Sequence, residues 1–363
     1  MVKKVMIMAG GTGGHVFPAL AVAHALKAQG VEVRWLGTRR GMESVQVPKQ
    51  GFPIDYISIS GLRGKGKLSL VLAPLRLAVA MAQALKVLLR FRPHVVLGMG
   101  GFVTGPGGVM ARLIGIPLVI HEQNAIAGMT NRLLSRIATR ILEAFPGAFK
   151  NSQRVRHTGN PVRADIAKLA VPDERLNGRE GALRLLVVGG SQGALALNQI
   201  VPEAIAALED TAAVEVWHQC GKHNCELTQD TYSGAGIEAR VEPFIDDMNT
   251  AYEWADVVVC RSGAMTVAEL AAAGVGAILV PYPYAVDDHQ TVNGRYLAEH
   301  GAAEIIPQAQ LTVEELVKRL EEFMADAMAG RERIRKMAEQ AHSLAMPNAT
   351  DEVMNQCLEV MRG

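Results

Sequence analysis

The sequence predicts an α/β protein made of two doubly wound parallel-sheet domains, and three observations carry the prediction. At 363 residues the chain exceeds what one hydrophobic core ordinarily organises. Apolar residues make up 49% and charged residues 20%, with 36 glycines, a balance that suits many tight strand-to-helix turns. Three times, a short apolar run ends in a glycine cluster and opens into a helical pattern: VMIMAGGTGGHVFPALAVAHAL, HVVLGMGGFVTGPGGVMARLIG and LRLLVVGGSQGALALNQIV.

The opening Met1-Val2-Lys3-Lys4 followed by Val5 to Ala9 imitates an export signal, yet only five apolar residues precede the glycines. An export core needs about 7 to 15. The run is read as a first strand. Further buried strands are expected at 31–36, 118–121, 214–218, 257–260 and 277–280, alternating with helices as parallel sheets require. Prolines and glycines interrupt the longer uncharged stretches such as 93–111, so no membrane-spanning helix is expected. The break between domains is placed near Gly159-Asn160-Pro161 or in the polar stretch 172–181, because the third strand and glycine turn read as a fresh start. The expected division is 1–160, 161–340, and a helix at 341–363, beyond the interruption at Pro347, that turns back onto the first domain. Two domains imply a cleft.

Net charge is +1, from 37 basic against 36 acidic residues, so nothing global steers the protein to nucleic acid. Four cysteines (Cys220, Cys225, Cys260, Cys357) are too few for a disulfide framework and point to a reducing, cytoplasmic setting.

A glycine turn before a helix aims main-chain N–H groups at one point, and the helix dipole adds positive potential there, so three such turns point to diphosphate ligands. The alternative for each turn is tight packing alone. The dinucleotide pattern G-x-G-x-x-G fails at Val16 and at Val103, and VEVRWLGTRR ends without the acidic residue that holds an NAD ribose. Arg39 and Arg40 keep an NADP-dependent reductase as a rival. No P-loop occurs. His15, directly after Gly10-Gly11-Thr12-Gly13-Gly14, is placed to act as a general base, or else as a cap. In the second half, Arg261 to Glu269 follows a strand and opens a helix. Its turn at Gly263 to Thr266 can receive a diphosphate, and Glu269 can accept hydrogen bonds from both ribose hydroxyls, or merely complement the helix dipole. No D-x-D pair occurs, so the leaving diphosphate needs helix N-termini and cations such as Arg163 and Arg261. HQCGKHNC (218–225) has no zinc-module spacing, and neither metal nor cofactor is expected.

With these residues laid out, the chain resembles the MurG family of bacterial UDP-N-acetylglucosamine transferases. The resemblance rests on GGTGGHVFPALAVA (10–23), GLRGKG (61–66), LGMGGFVTGPGG (97–108), HEQNAIAGMTN (121–131), GNPVR (159–163), VVGGSQGA (187–194), EPFIDDM (242–248) and RSGAMTVAE (261–269). It implies the GT-B architecture, with the acceptor and the membrane met by the first domain and the UDP-sugar held by the second. It implies that Ala264, Met265, Thr266, Val267, Ala268 and Glu269 hold the diphosphate and ribose, that the Ile245 main chain holds the uracil, and that Ser191, Arg163 and Gln290 complete the donor pocket. From the first domain, Thr12, Gly13, Gly14 and Asn124 would reach the sugar, with His15 as base and Glu122 as a further group near the hydroxyl. The implied acceptor is undecaprenyl-pyrophosphoryl-muramyl-pentapeptide, in peptidoglycan synthesis at the cytoplasmic face of the inner membrane. The stretch 62–92 suits docking on anionic lipid, setting Arg63, Lys65, Lys67, Arg76, Lys86, Arg90 and Arg92 around Leu68, Leu70, Val71, Leu72, Leu75, Leu77 and Val79. An ordinary domain helix with a solvated basic side is the alternative. A non-catalytic nucleotide-sugar binding module is the third reading of the whole.

Overall fold

The computed structural model describes residues 2–61, 72–190, 193–324 and 327–362. Two compact units divide the chain: unit 1 comprises Met1–Val162 with Asn348–Gly363, and unit 2 comprises Arg163–Pro347.

Unit 1 runs β1 (Lys4–Met8), α1 (Gly13–Ala28), β2 (Glu32–Gly37), α2 (Glu43–Lys49), β3 (Ile54–Tyr56), α3 (Ala73–Phe91), β4 (Val95–Gly98), α4 (Thr104–Leu113), β5 (Leu118–Glu122), α5 (Met129–Leu134), β6 (Arg140–Glu143) and β7 (Val155–His157). Its strands form one parallel sheet in the order β3-β2-β1-β4-β5-β6-β7. Alternation along β1 feeds two separate cores. Val5 and Ile7 join the cluster around α1, whereas Met6 and Met8 join the cluster around α3 and α4. Buried positions on α1 (Val16, Pro18, Ala19, Leu20, Val22, Ala23, Leu26) cover more than half of the helix's circumference, wider than the stripe a sheet alone would bury. Such a helix needs cover on its outer side as well as on the sheet side. Ala349–Val360, the last helix of the chain, supplies it by packing Val353, Met354 and Cys357 into the same cluster.

Unit 2 runs α6 (Pro172–Arg175), β8 (Leu183–Val188), α7 (Leu195–Ala206), β9 (Val214–Gln219), α8 (Cys225–Gly234), β10 (Ala239–Glu242), α9 (Met248–Trp254), β11 (Val257–Cys260), α10 (Ala264–Ala273), β12 (Gly276–Leu279), α11 (His289–Ala298), β13 (Ala303–Ile305), α12 (Val313–Met324) and α13 (Ala327–Ser343); the helix that returns to unit 1 is α14. Its parallel sheet has the order β10-β9-β8-β11-β12-β13. Each unit is thus doubly wound, as the sequence predicts.

In such sheets, ligands bind beyond the carboxyl ends of the strands where the strand order reverses. Unit 1 reverses between β1 and β4, paired Met8 to Gly98, and unit 2 between β8 and β11, paired Val188 to Cys260. All three glycine turns, and the turn at 261–263, leave the sheets at these reversals.

Two features of the segment around β9 bear on the sequence reading. Cys220 and Cys225, read in the sequence as forming no disulfide framework, face each other across the turn from β9 to α8, with Cα atoms 5.3 Å apart; Cys260 and Cys357 are buried. His218 is a core residue: its Nε2–H donates to Asn198 Oδ1 (3.1 Å) and its Nδ1 accepts from the Tyr232 hydroxyl (2.9 Å). Burial holds its pKa down, from 6.5 to about 3. The unfolded chain takes this proton near pH 6.5 while the folded chain refuses it, so the stability is complete above pH 6.5 and lost as pH falls towards 3. At 1.36 kcal/mol per unit, about 2 kcal/mol disappears by pH 5. Denaturant unfolding at pH 7 and pH 5 checks this, and a His218→Gln variant that loses as much as wild type would clear His218 as the source.

Candidate active site

In unit 1 the first turn carries its own anchor. Glu43, fully buried at the start of α2, accepts hydrogen bonds from the main-chain N–H of Gly11 (3.0 Å), the N–H of Thr38 (2.8 Å) and the Thr38 hydroxyl (2.7 Å). A Cβ on Gly10 or Gly37 would come within 2.7 Å of this side chain, so those glycines make room for it. With Gly11 so occupied, the N–H groups of Gly13 and Gly14, in the first turn of α1, have no partner among the described residues; Thr12 caps the helix through its carbonyl alone. The second turn lies against the first. Gly101, at φ +85°, sets its Cα so that a Cβ would fall 2.3 Å from the Gly10 carbonyl oxygen. Gly100 leaves room for the His15 ring, which a Cβ there would meet at 2.6 Å. His15 Nδ1 lies 2.8 Å from Gln123 Oε1.

Asn124 sits in a loop tied to Glu122. Glu122 Oε1 accepts from the Asn124 N–H (3.1 Å) and Nδ2 (3.2 Å), while Oε2 accepts from the Gly128 N–H and Asn131 Nδ2, both at 3.0 Å. Glu122 is only 2% exposed. Its place as a group near the reacting hydroxyl is therefore withdrawn: both oxygens are committed to holding the loop.

In unit 2, α10 starts at Ala264 after Gly263, whose extended backbone (φ −64°, ψ 145°) caps the helix without a side chain. The N–H groups of Met265 and Thr266 have no partner among the described residues, and the first bond back to the cap is Val267 N–H to Gly263 O. The Ser262 hydroxyl beside them is fully buried, with no hydrogen-bond partner among the described residues. One turn on, Glu269 Oε2 accepts from the Tyr252 hydroxyl (3.1 Å). Burial pushes the Glu269 carboxyl above the usual range, while Arg163 and the Tyr252 hydrogen bond pull it back. Arg163 itself reaches the Asp246 carbonyl (3.5 Å), next to Ile245, whose own N–H and C=O have no partner among the described residues. Unit 2 therefore brings Arg163, Ile245, α10 and Glu269 into one neighbourhood.

Other assignments land elsewhere. Arg261 is not free to neutralise a diphosphate: Nη1 donates to the carbonyls of Val280 (3.0 Å) and Pro281 (3.3 Å), and Nη2 to Gln308 Oε1 (2.6 Å). Gln290 Oε1 accepts from the Tyr282 N–H (2.9 Å), bracing the loop after β12. Arg39 stacks on Tyr56, 4.8 Å from the ring centre. Ser191 lies outside the described residues, as do Arg63, Lys65, Lys67, Leu68, Leu70 and Val71. Among the described residues no group of three or more His, Cys, Asp or Glu side chains is arranged to hold a metal.

The family profiles match in the same order as the units. The glycosyltransferase family 28 N-terminal domain matches residues 5–143, and the glycosyltransferase family 28 C-terminal domain matches residues 184–350. A Marinobacter nauticus protein named UDP-N-acetylglucosamine–N-acetylmuramyl-(pentapeptide) pyrophosphoryl-undecaprenol N-acetylglucosamine transferase is 55% identical over 361 residues, covering 99% of this chain and 98% of its own. The chain belongs to glycosyltransferase family 28, among the MurG transferases. A Nitrosococcus oceani member with the same printed name is 53% identical over the full length of both chains. The crystal structure of Acinetobacter baumannii MurG superposes with a TM-score of 0.86 at 44% identity, covering 98% of this chain and 99% of that one. The kitacinnamycin glycosyltransferase, at 18% identity and a TM-score of 0.69, shares the fold. These MurG and family 28 matches identify the paired sheets as the GT-B architecture.

The residues that the sequence reading missed are anchors. Glu43 and Gln123 hold the first turn and His15, yet their partners are 32 and 108 positions away. The only local signal for Glu43 was an acidic residue at a helix start, which has many commoner causes.

Proposed function

We infer that the chain transfers N-acetylglucosamine from UDP-N-acetylglucosamine to the 4-hydroxyl of undecaprenyl-pyrophosphoryl-muramyl-pentapeptide. The observation that carries this is the 55% identity, over nearly the whole of both chains, to a transferase of that name. The geometry of unit 2 supports it. The N–H groups of Met265 and Thr266, without a partner among the described residues, are suited to the diphosphate, Glu269 to the ribose hydroxyls, the Ile245 main chain to the uracil, and Arg163 to the charge that develops on the leaving group. This arrangement calls for no metal or cofactor. Ala264, Val267, Ala268, Ser191 and, through the amide NH2 of a side chain whose oxygen braces the loop after β12, Gln290 complete the donor set, and unit 1 contributes Thr12, Gly13, Gly14 and Asn124 to the sugar and the acceptor pyrophosphate. In the reaction the muramyl oxygen attacks the anomeric carbon, the bond from that carbon to the diphosphate breaks with inversion, UDP departs, and the hydroxyl proton passes to His15.

Turnover of UDP-N-acetylglucosamine with the lipid-linked acceptor tests the reading; UDP release without a disaccharide product, or no release, would sink it. In the same assay Glu269→Ala should bind UDP about 10- to 100-fold more weakly, the loss of one to two charge-assisted hydrogen bonds. Unchanged UDP affinity by calorimetry would remove Glu269 from the ribose.

The setting follows from the acceptor. No described helix is long and apolar enough to cross a membrane. Peripheral docking at the cytoplasmic face of the inner membrane is proposed instead, serving cell wall synthesis and through it cell shape and division. Leu72, Leu75, Leu77 and Val79 stand exposed at the start of α3, with Leu75 at 64%. Arg90, counted among the docking cations, instead pairs with Asp55. Leu75→Glu/Val79→Glu, two exposed positions one turn apart on the same face, should sediment less with phosphatidylglycerol vesicles at low salt; equal sedimentation of variant and wild type would exclude this face.

A further inference from the structure

Two histidines of unit 1 and the glutamine between them form one chain of hydrogen bonds, and a single carbonyl sets its direction. His121 Nε2 lies 3.0 Å from the Gly159 oxygen. A carbonyl only accepts, so Nε2 carries a proton and donates it. The His121 ring is fully buried, and that burial holds its pKa down to about 4, so at neutral pH the ring has one proton and Nδ1 has none. Nδ1 must therefore accept, and its neighbour at 2.9 Å is Gln123 Nε2. The same NH2 group also faces the His121 carbonyl at 3.4 Å. Turning the amide over would set its oxygen against two acceptors with no proton between them. The amide orientation is thus determined, and Gln123 Oε1 is the atom that meets His15 Nδ1 at 2.8 Å. An amide oxygen can only accept, so His15 Nδ1 holds the proton. In the neutral ring, His15 Nε2 is then a bare lone pair, with no hydrogen-bond partner among the described residues.

The backbone on either side keeps this chain in place. Asn160 Nδ2 donates to the Gln123 carbonyl (3.0 Å) and Asn131 Nδ2 to the His121 carbonyl (3.0 Å). Gln123 is 1% exposed, so water does not compete for its amide.

We propose that Gln123, with His121 and the Gly159 carbonyl behind it, is a positioning residue that holds His15 in its Nδ1–H form and presents Nε2 as the atom that takes the acceptor's proton. The proposal rests on the reading of His15 as the base. As the hydroxyl O–H breaks and the new carbon–oxygen bond forms, the proton adds to Nε2, and the Nδ1–H bond to Gln123 Oε1 then steadies the imidazolium without any proton having to change nitrogen.

The tautomer can be read without reference to turnover. Long-range proton–nitrogen correlation spectra of the full-length protein labelled with 15N-histidine, with the His15 signals assigned by their loss in His15→Ala, should show Nδ1 protonated and Nε2 bare at pH 8. In Gln123→Met, which keeps the length and loses the amide, the His15 ring should move towards the Nε2–H form. With that shift kcat should fall about 10- to 100-fold, part of what a general base supplies, while the KM for UDP-N-acetylglucosamine stays put. Gln123→Glu, whose buried carboxyl offers one oxygen to Nδ1–H and must keep a proton on the other to serve the acceptors of His121, should recover more of kcat than the methionine at a pH low enough for that proton to be held. An Nε2–H ring in the wild type, or a ring unchanged in Gln123→Met, overturns the proposal whatever the kinetics. Near-normal turnover in His15→Ala overturns the reading of the base instead, so the two failures are distinguishable.

Discussion

Replacing His15 with alanine is expected to lower kcat by about 10²- to 10⁴-fold, the range that a positioned general base contributes. The expectation comes from placement: the ring follows the two glycines whose N–H groups have no partner among the described residues, rests in the space that Gly100 leaves, and is held through Nδ1. Donor affinity should stay close to wild type, because the groups proposed to hold UDP belong to unit 2. The loss should then fall equally on kcat and kcat/KM, the pattern of an interaction made only in the transition state. Steady-state rates at saturating UDP-N-acetylglucosamine measure it, and a rate within a few-fold of wild type would send the search for the base elsewhere.

Gly101→Ala should cost about 2–5 kcal/mol of stability, and the reason is backbone rather than side chain. A left-handed conformation for a residue with a Cβ costs about 1–2 kcal/mol, and Gly101 sits at φ +85°. The added carbon would also stand 2.3 Å from the Gly10 carbonyl oxygen, an atom that has no rotamer to escape into, so the two turns must part. Overpacking of this kind adds about 1–3 kcal/mol. Gly11 provides the comparison: at φ +93° it carries the same strain, but nothing lies within 4 Å of its Cβ position. Gly11→Ala should lose only the conformational part, about 1–2 kcal/mol. Urea denaturation of the two variants separates strain from contact, and equal losses would mean that the turns are not packed as described.

The glycine turns and central strands were legible because their signals are local. An apolar run of five or six residues, a glycine, then a helical period can be read within a window of about twenty positions. Val257–Cys260 falls where it was expected, and the other central strands differ by a residue at their ends. The short strands β3, β6, β7, β10 and β13 were not anticipated. Three to four residues long and half polar in places, as in Ala239–Glu242, they lack the continuous apolar run of a strand buried on both faces. At the site the reading picked out residues in the turns themselves, since glycine spacing marks where main-chain amides point. It misjudged those whose role is set by a distant partner. Arg261 looks available until the Val280 and Pro281 carbonyls and Gln308 are seen around it, and Glu122 looks reactive until both its oxygens are found occupied. A charge in sequence says nothing of what has already claimed it.

The return of α14 to unit 1 has a bearing on how the chain is made. Residues 1–162 leave the ribosome with the outer side of α1 bare, and all of residues 163–347 must be synthesised before Val353, Met354 and Cys357 arrive to cover it. A nascent chain adds roughly 5–20 residues per second. For many seconds the half-made protein therefore lacks the cover for that side of α1, and the second unit, though translated later, has its whole sequence available first.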